Sequence, residues 1–159
     1  VLSVYAKRVC DNVDLHKAAY DLLLDAMRLE LGLEIHTSTI KKSLSGKPYF
    51  LGCPYHFSIT HTDGLVAVAI SDLPVGIDAE SKNRRISNAV AFRFLRKDTA
   101  SIEDWTRYEA VGKMLGCGVP LNERQREGTY PTYYYDELSD YTVCCVCRSD
   151  QMKGKLKLV

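Results

Sequence analysis

No stretch of the 159-residue chain approaches the roughly 20 consecutive apolar residues needed to cross a bilayer, so no membrane-spanning helix is expected. Charge of one sign is also lacking. The chain carries 21 basic and 20 acidic side chains, a formal net charge of +1. That balance argues against general nucleic-acid binding, which draws on a basic excess, and any anion site must be local. Val1–Arg8 is too short and wrongly composed for a signal peptide, and it lacks an initiator Met. No segment repeats at a fixed period, so any duplication is expected in structure alone. Six cysteines are present, of which Cys144 and Cys147 stand in CxxC spacing with no second such pair to complete a metal site, and the chain is too large to need a disulfide scaffold. Cys144, Cys145 and Cys147 sit in an apolar run, Tyr141–Cys147. Buried core thiols are the reading preferred over zinc, and a reducing cytoplasm fits them.

What remains is an ordinary soluble composition, 46% hydrophobic and 26% charged, long enough for one domain or two small lobes with a shared core. Val1–Arg8 reads as a strand. Asp14 is an N-cap for a helix with apolar residues at Leu15, Ala19, Leu22, Ala26 and Leu29, closed by Gly32. Thr37–Tyr55 reads as loop, punctuated by Gly46, Pro48, Gly52 and Pro54. Phe57–Thr60 and Leu65–Ile70 form two strands about a Thr62-Asp63-Gly64 turn, apolar enough for burial on both faces. After the turn Asp72-Leu73-Pro74 come a strand at Val75–Glu80, a helix near Ile86–Leu95 and a second helix at Ile102–Leu115. Asn122–Gly128 reads as an exposed loop, Tyr130–Tyr135 and Tyr141–Cys147 as a hairpin, and Leu156–Val159 as an edge strand. The order of elements predicts an α+β fold of two related α/β lobes, 1–71 and 72–159.

The densest chemistry is Val75-Gly76-Ile77-Asp78-Ala79-Glu80. Strand residues two apart share a face, so Asp78 and Glu80 present two carboxylates together, and Gly76 admits a close approach by ligand or backbone. Taken alone, a solvated strand end is the more ordinary reading. In the second helix Ile102, Trp105, Glu109 and Lys113 share one face. Glu109 and Lys113 also stand at i, i+4, where a surface ion pair is the bland account. Three carboxylates from Asp78, Glu80 and Glu109 would suit magnesium, which keeps waters and phosphate oxygens in its other positions. Thr60 and His61 end a strand before a turn, a place suited to a phosphate, although a hydrogen-bonded turn histidine is the commoner case. Lys47 lies in a proline-stiffened loop, where most lysines are simply solvated.

Taken in order, GKPYF at 46–50, FSITHTDG at 57–64, VGIDAE at 75–80 and WTRYEAVGK at 105–113 resemble the motifs of the 4′-phosphopantetheinyl transferase superfamily. The family pattern is a G-K-P stretch, an S-x-S/T-H segment, a G-I/V-D-x-E strand and a W-x-x-K-E-A-x-x-K helix. The resemblance covers roughly residues 15–120 and is to the two-lobed, surfactin-synthetase-activating class, a pseudo-dimer in one monomeric chain. The shorter trimeric class would lack the material before residue 70. The resemblance implies transfer of the phosphopantetheine arm of coenzyme A to a serine of an apo acyl or peptidyl carrier protein, releasing adenosine 3′,5′-bisphosphate. It implies Asp78, Glu80 and Glu109 as magnesium ligands at the pyrophosphate, and Lys47, Thr60 and His61 at the nucleotide end, with His61 near the 3′-phosphate. It places Lys113 beside the reacting phosphate, and makes Glu109 or a metal-held water the base for the carrier serine.

Three positions depart from the pattern. Tyr108 stands where the family has Lys, Gly116-Cys117-Gly118 replaces G-K-G, and Tyr20 replaces an Arg of the first long helix. Each removes a phosphate-facing cation in the family picture. The alternative they raise is a degenerate homologue that binds coenzyme A or a carrier protein without efficient transfer. An unrelated small binding module is the third reading.

Overall fold

A computed structural model describes residues 2–159. Strand β1, Leu2–Arg8, leads into helix α1, Leu15–Leu31; Val1, the first residue of the expected strand, lies outside the described residues. Asp14 caps α1 as expected, its side chain accepting from the Lys17 N–H, and Gly32 closes it with φ 64°. The buried stripe of α1 is Ala19, Leu22, Leu23, Ala26 and Met27, whereas Leu29 is exposed. A short hairpin follows, β2 (Ile40–Lys42) and β3 (Pro48–Phe50), where the sequence predicts only loop. Its strands are three residues each, too short to carry a periodic signal.

Strands β4 (His56–Thr62) and β5 (Leu65–Ser71) pair antiparallel about the predicted turn. Gly64 is required there: its φ is +75°, and a Cβ would lie 2.7 Å from the Tyr141 hydroxyl oxygen. β5 is buried along its whole length, as its continuous apolar character predicts.

The second half repeats the plan. Strand β6 (Val75–Ser81) leads through α2 (Asn88–Val90), a π-helical turn at Ala91–Leu95, helix α3 (Ile102–Leu115) and α4 (Glu123–Glu127) to β7 (Thr132–Tyr135) and β8 (Tyr141–Cys147). The helix expected over Ile86–Leu95 is therefore only a short turn of α-helix run into a π turn, with Phe92 left exposed. The loop expected at Asn122–Gly128 is a helix, because Asn122 and Gln125 cap one another's backbone N–H groups. Helix α3 matches its predicted bounds, opened by a Ser101–Asp104 capping box and closed by Gly116 at φ 72°.

The first sheet runs β4-β5-β1-β9 and the second β6-β8-β7, where β9 is Lys153–Leu158. In each half the first strand pairs antiparallel with the last, and the last is central. Strand β9 departs from that plan: it returns to the first sheet and lies parallel to β1 at its edge. The layers are α1, first sheet, second sheet and α3. Phe57, Val66, Val68 and Ile70 meet α1. Leu2, Val4, Ala67 and Ala69 meet Val75, Ile77, Val143 and Cys145 between the sheets. Cys144 and Val146 meet α3 on the outer face. Cys144, Cys145 and Cys147 are thus core residues of β8, and all six cysteines are free. No helix among the described residues is long and apolar enough to cross a membrane.

Candidate functional site

The site forms where β6 crosses under α3 at the edge of β4. Val75, Ile77 and Ala79 point into the core between the sheets, which turns Gly76, Asp78 and Glu80 toward the helix. The close approach foreseen at Gly76 is by backbone: a Cβ there would lie 1.9 Å from the Ala110 carbonyl oxygen and 2.5 Å from the Met114 nitrogen. Helix α3 rests on that glycine and so brings Glu109 and Lys113 over Asp78 and Glu80.

The bland ion pair along α3 is not formed. Lys113 Nζ instead donates to Asp78 Oδ1 across the crossing, at 2.8 Å. The same oxygen accepts from Thr60 Oγ1 at 3.1 Å, and Ser58 Oγ on β4 accepts from the Ile77 N–H at 3.0 Å. Two hydroxyls of β4 thus join the edges of the two sheets without a backbone ladder. Asp78 Oδ2 is buried and has no hydrogen-bond partner among the described residues. Burial raises the Glu109 carboxyl pKa above its ordinary value, with further upward pressure from Asp78. Glu80 is raised for the same reasons, Glu109 adding to the repulsion and Arg84 opposing it.

Sequence reasoning missed Arg84. Its guanidinium pairs with Glu80 and stands over the Trp105 ring, 5.9 Å from the centroid. The signal was present in the i, i+4 spacing from Glu80, obscured because the pair spans a strand end and not a helix. Among the described residues no group of three or more His, Cys, Asp or Glu side chains is arranged to hold a metal ion. The donors fit a hard cation in kind, being all carboxylate oxygens, one of them buried and unpartnered. In position, two of the three carboxylates are instead engaged by Lys113 and Arg84.

Beside the crossing lies a cavity of about 250 Å³ walled by Lys47, Phe57, Ser58, Ile59, Lys113 and Gly116 among others. Lys47 is drawn inward. Its Nζ donates to the carbonyls of Val75 at 3.2 Å and Met114 at 3.0 Å, tying the β2–β3 hairpin to β6 and to the end of α3. Burial lowers its pKa to about 8. His61 is exposed, on the strand face shared by Phe57 and Ile59. Thr60 is buried on the opposite face, against Asp78.

The three departures occupy different settings. Tyr108 is a core residue: its ring stacks on Trp105 at 5.6 Å, and its hydroxyl oxygen accepts from the Leu121 N–H at 2.7 Å. Tyr20 is half-buried against His16, with ring centroids 4.8 Å apart. Cys117 is exposed in the turn after α3.

No family model matches the chain. The chain is similar to a 4′-phosphopantetheinyl transferase gsp of Aneurinibacillus migulanus, 29% identical over an alignment of 136 positions that covers 67% of this chain and 56% of the relative. It therefore spans little more than half the length of the curated relative it matches. This likeness supports the superfamily to which the four motifs point.

Proposed function

We infer that the chain is a member of the 4′-phosphopantetheinyl transferase superfamily. We propose that it transfers the phosphopantetheine arm of coenzyme A to a serine of an apo acyl or peptidyl carrier protein. The products are the holo carrier and adenosine 3′,5′-bisphosphate, as for a holo-[acyl-carrier-protein] synthase. The observation that carries this reading is the meeting of Asp78, Glu80, Glu109 and Lys113 at one crossing of strand and helix, beside a cavity between the two halves. The division into lobes 1–71 and 72–159, acting as a monomeric pseudo-dimer in the cytoplasm, belongs to the same proposal, with β9 crossing the boundary to pair with β1.

Each side chain has a role that its setting supports. The raised pKa of Glu109 suits it to accept the proton of the carrier serine, a poor nucleophile while protonated. Lys113 presents a positive charge at the cavity wall, where it would stabilise negative charge developing on the phosphoryl oxygens. Asp78 orients Lys113 and, through Thr60, fixes β4 against β6. Magnesium, when held by Asp78, Glu80 and Glu109, would supply charge neutralisation at the pyrophosphate. His61, exposed at the end of β4, would meet the 3′-phosphate of coenzyme A. Lys47 serves the nucleotide end by fixing the hairpin that walls the cavity, since its ammonium is engaged by two carbonyls.

The test is product release. The chain, an apo carrier protein, coenzyme A and magnesium should yield adenosine 3′,5′-bisphosphate by chromatography in proportion to the carrier present. Release without carrier, or none with it, would overturn the reading.

A further inference from the structure

On the side of α3 turned away from Glu109 and Lys113, a second cavity of about 190 Å³ opens between that helix, the 95–97 segment and α4. Its floor includes Tyr108 and Leu121, and its walls carry Lys97, Arg107, Arg126 and the single carboxylate Asp104. Three cations against one anion leave a local excess of positive charge in a chain that is nearly neutral overall.

The carboxylate is already engaged. Asp104 accepts from the Ser101 N–H at 3.1 Å as part of the helix cap and from Lys97 Nζ at 3.2 Å. Arg107 is held by long bonds, from Nε to Thr132 Oγ1 at 3.3 Å and from Nη2 to the Gly128 carbonyl at 3.4 Å, which leave Nη1 without an acceptor among the described residues. Arg126 is half-buried, and its guanidinium has no hydrogen-bond or ion-pair partner among the described residues. The Tyr108 hydroxyl accepts from the Leu121 N–H, and its own proton finds no acceptor among them either. Arg107, Arg126 and Tyr108 therefore border this space with donor capacity left unused among the described residues, which an anion or water would satisfy.

We propose that this cavity binds a small tetrahedral oxyanion of phosphate or sulfate type, gripped by the Arg126 fork with Arg107 and the Tyr108 hydroxyl as further donors. A cavity of about 190 Å³ accommodates one oxyanion. Arginine forks match such oxygens two at a time. The site is distinct from the one assigned to transfer, and its occupancy does not depend on that assignment.

The test is calorimetry of the full chain with inorganic phosphate and, separately, sulfate, at constant ionic strength held with chloride. Saturable one-site binding is expected, weakened about tenfold or more by Arg126→Gln and less by Arg126→Lys, which keeps charge but loses the fork. Arg126 makes no side-chain hydrogen bond or ion pair among the described residues, so circular dichroism of both variants should match wild type. Lys113→Gln should leave phosphate binding intact. Wild-type affinity in Arg126→Gln overturns the proposal, as does loss of binding in Lys113→Gln alone, which would move the anion to the other face of α3. Binding of an oligoglutamate peptide through Arg126 without binding of either inorganic anion would assign the face to a protein partner and overturn it equally.

Discussion

Lys113 reaches Asp78 on the neighbouring strand, 2.8 Å from its Oδ1, and not Glu109 one turn back on its own helix. The contact couples fold and site, because the same oxygen accepts from Thr60 of the first sheet. Asp78→Ala should therefore abolish transfer and also destabilise the chain. The Asp78 side chain is only 8% exposed, but Lys113 is 30% exposed and regains water, so the expected loss is about 1–3 kcal/mol, below that of a fully buried pair. Urea denaturation measures it; an unchanged midpoint together with wild-type transfer would remove Asp78 from both roles.

Glu109 behaves in the opposite sense. Its carboxyl pKa in the folded chain is raised above the ordinary 4.5, first by burial and then by Asp78. In the window above 4.5 the folded state binds more protons than the unfolded, so this group's contribution to stability is lost as pH rises through the folded value. Glu109→Gln should abolish transfer while gaining stability over wild type at pH 7 and not at pH 4. Thermal melts across that range check it, and parallel pH profiles for the two proteins would contradict it.

Gly76 marks the place where helix and strand touch. With Ala110 and Met114 backbone atoms 1.9 Å and 2.5 Å from a built Cβ, Gly76→Ala has no flexible neighbour to displace. It should cost about 3 kcal/mol and lower activity by lifting α3 from β6. A melt within a degree of wild type would show that the two do not rest on one another as described.

Lys47 gives a second pH signature. Its folded pKa is lowered by burial to about 8 from 10.5, so between those values the unfolded chain binds the extra proton and stability rises with pH. The contribution amounts to roughly 2–3 kcal/mol across the window. Lys47→Met should flatten the rise, read as the difference in urea midpoints at pH 7.5 and pH 10. The same rise in both proteins would contradict it.

Much of this was legible in the sequence because it rests on local rules. Asp14, Gly32 and Gly116 bound their helices through caps that involve only neighbours in the chain, and the apolar runs at β5 and β8 read as strands. Two of the motifs fall on β6 and α3, whose crossing brings Asp78, Glu80, Glu109 and Lys113 together. What was not legible depends on contacts across the fold. Periodicity pairs Lys113 with Glu109, and only packing on Gly76 carries it to Asp78. Arg84 lies outside every motif and matters because a strand end folds it over Trp105. Tyr108 reads as a lost cation in sequence, yet its ring packs between α3 and the outer face of the second sheet and its hydroxyl holds Leu121. The short β2–β3 hairpin and α4 were missed because each is shorter than the window in which a period can be read.

His61 offers a substrate-level check. Its exposure at the end of β4 leaves the fold indifferent to its loss, so His61→Ala should keep the wild-type melt and mainly raise the Michaelis constant for coenzyme A. Wild type should prefer coenzyme A to dephospho-coenzyme A, and the variant should lose that preference. Unchanged discrimination would place the 3′-phosphate elsewhere.

The most direct measurement is the intact mass of an apo carrier protein after incubation with the chain, coenzyme A and magnesium. A gain of one phosphopantetheine group on the carrier serine is expected, absent with Glu109→Gln and absent when the serine is replaced by alanine. A carrier whose mass stays unchanged in the presence of the folded wild-type chain, or one modified equally by Glu109→Gln, would contradict it.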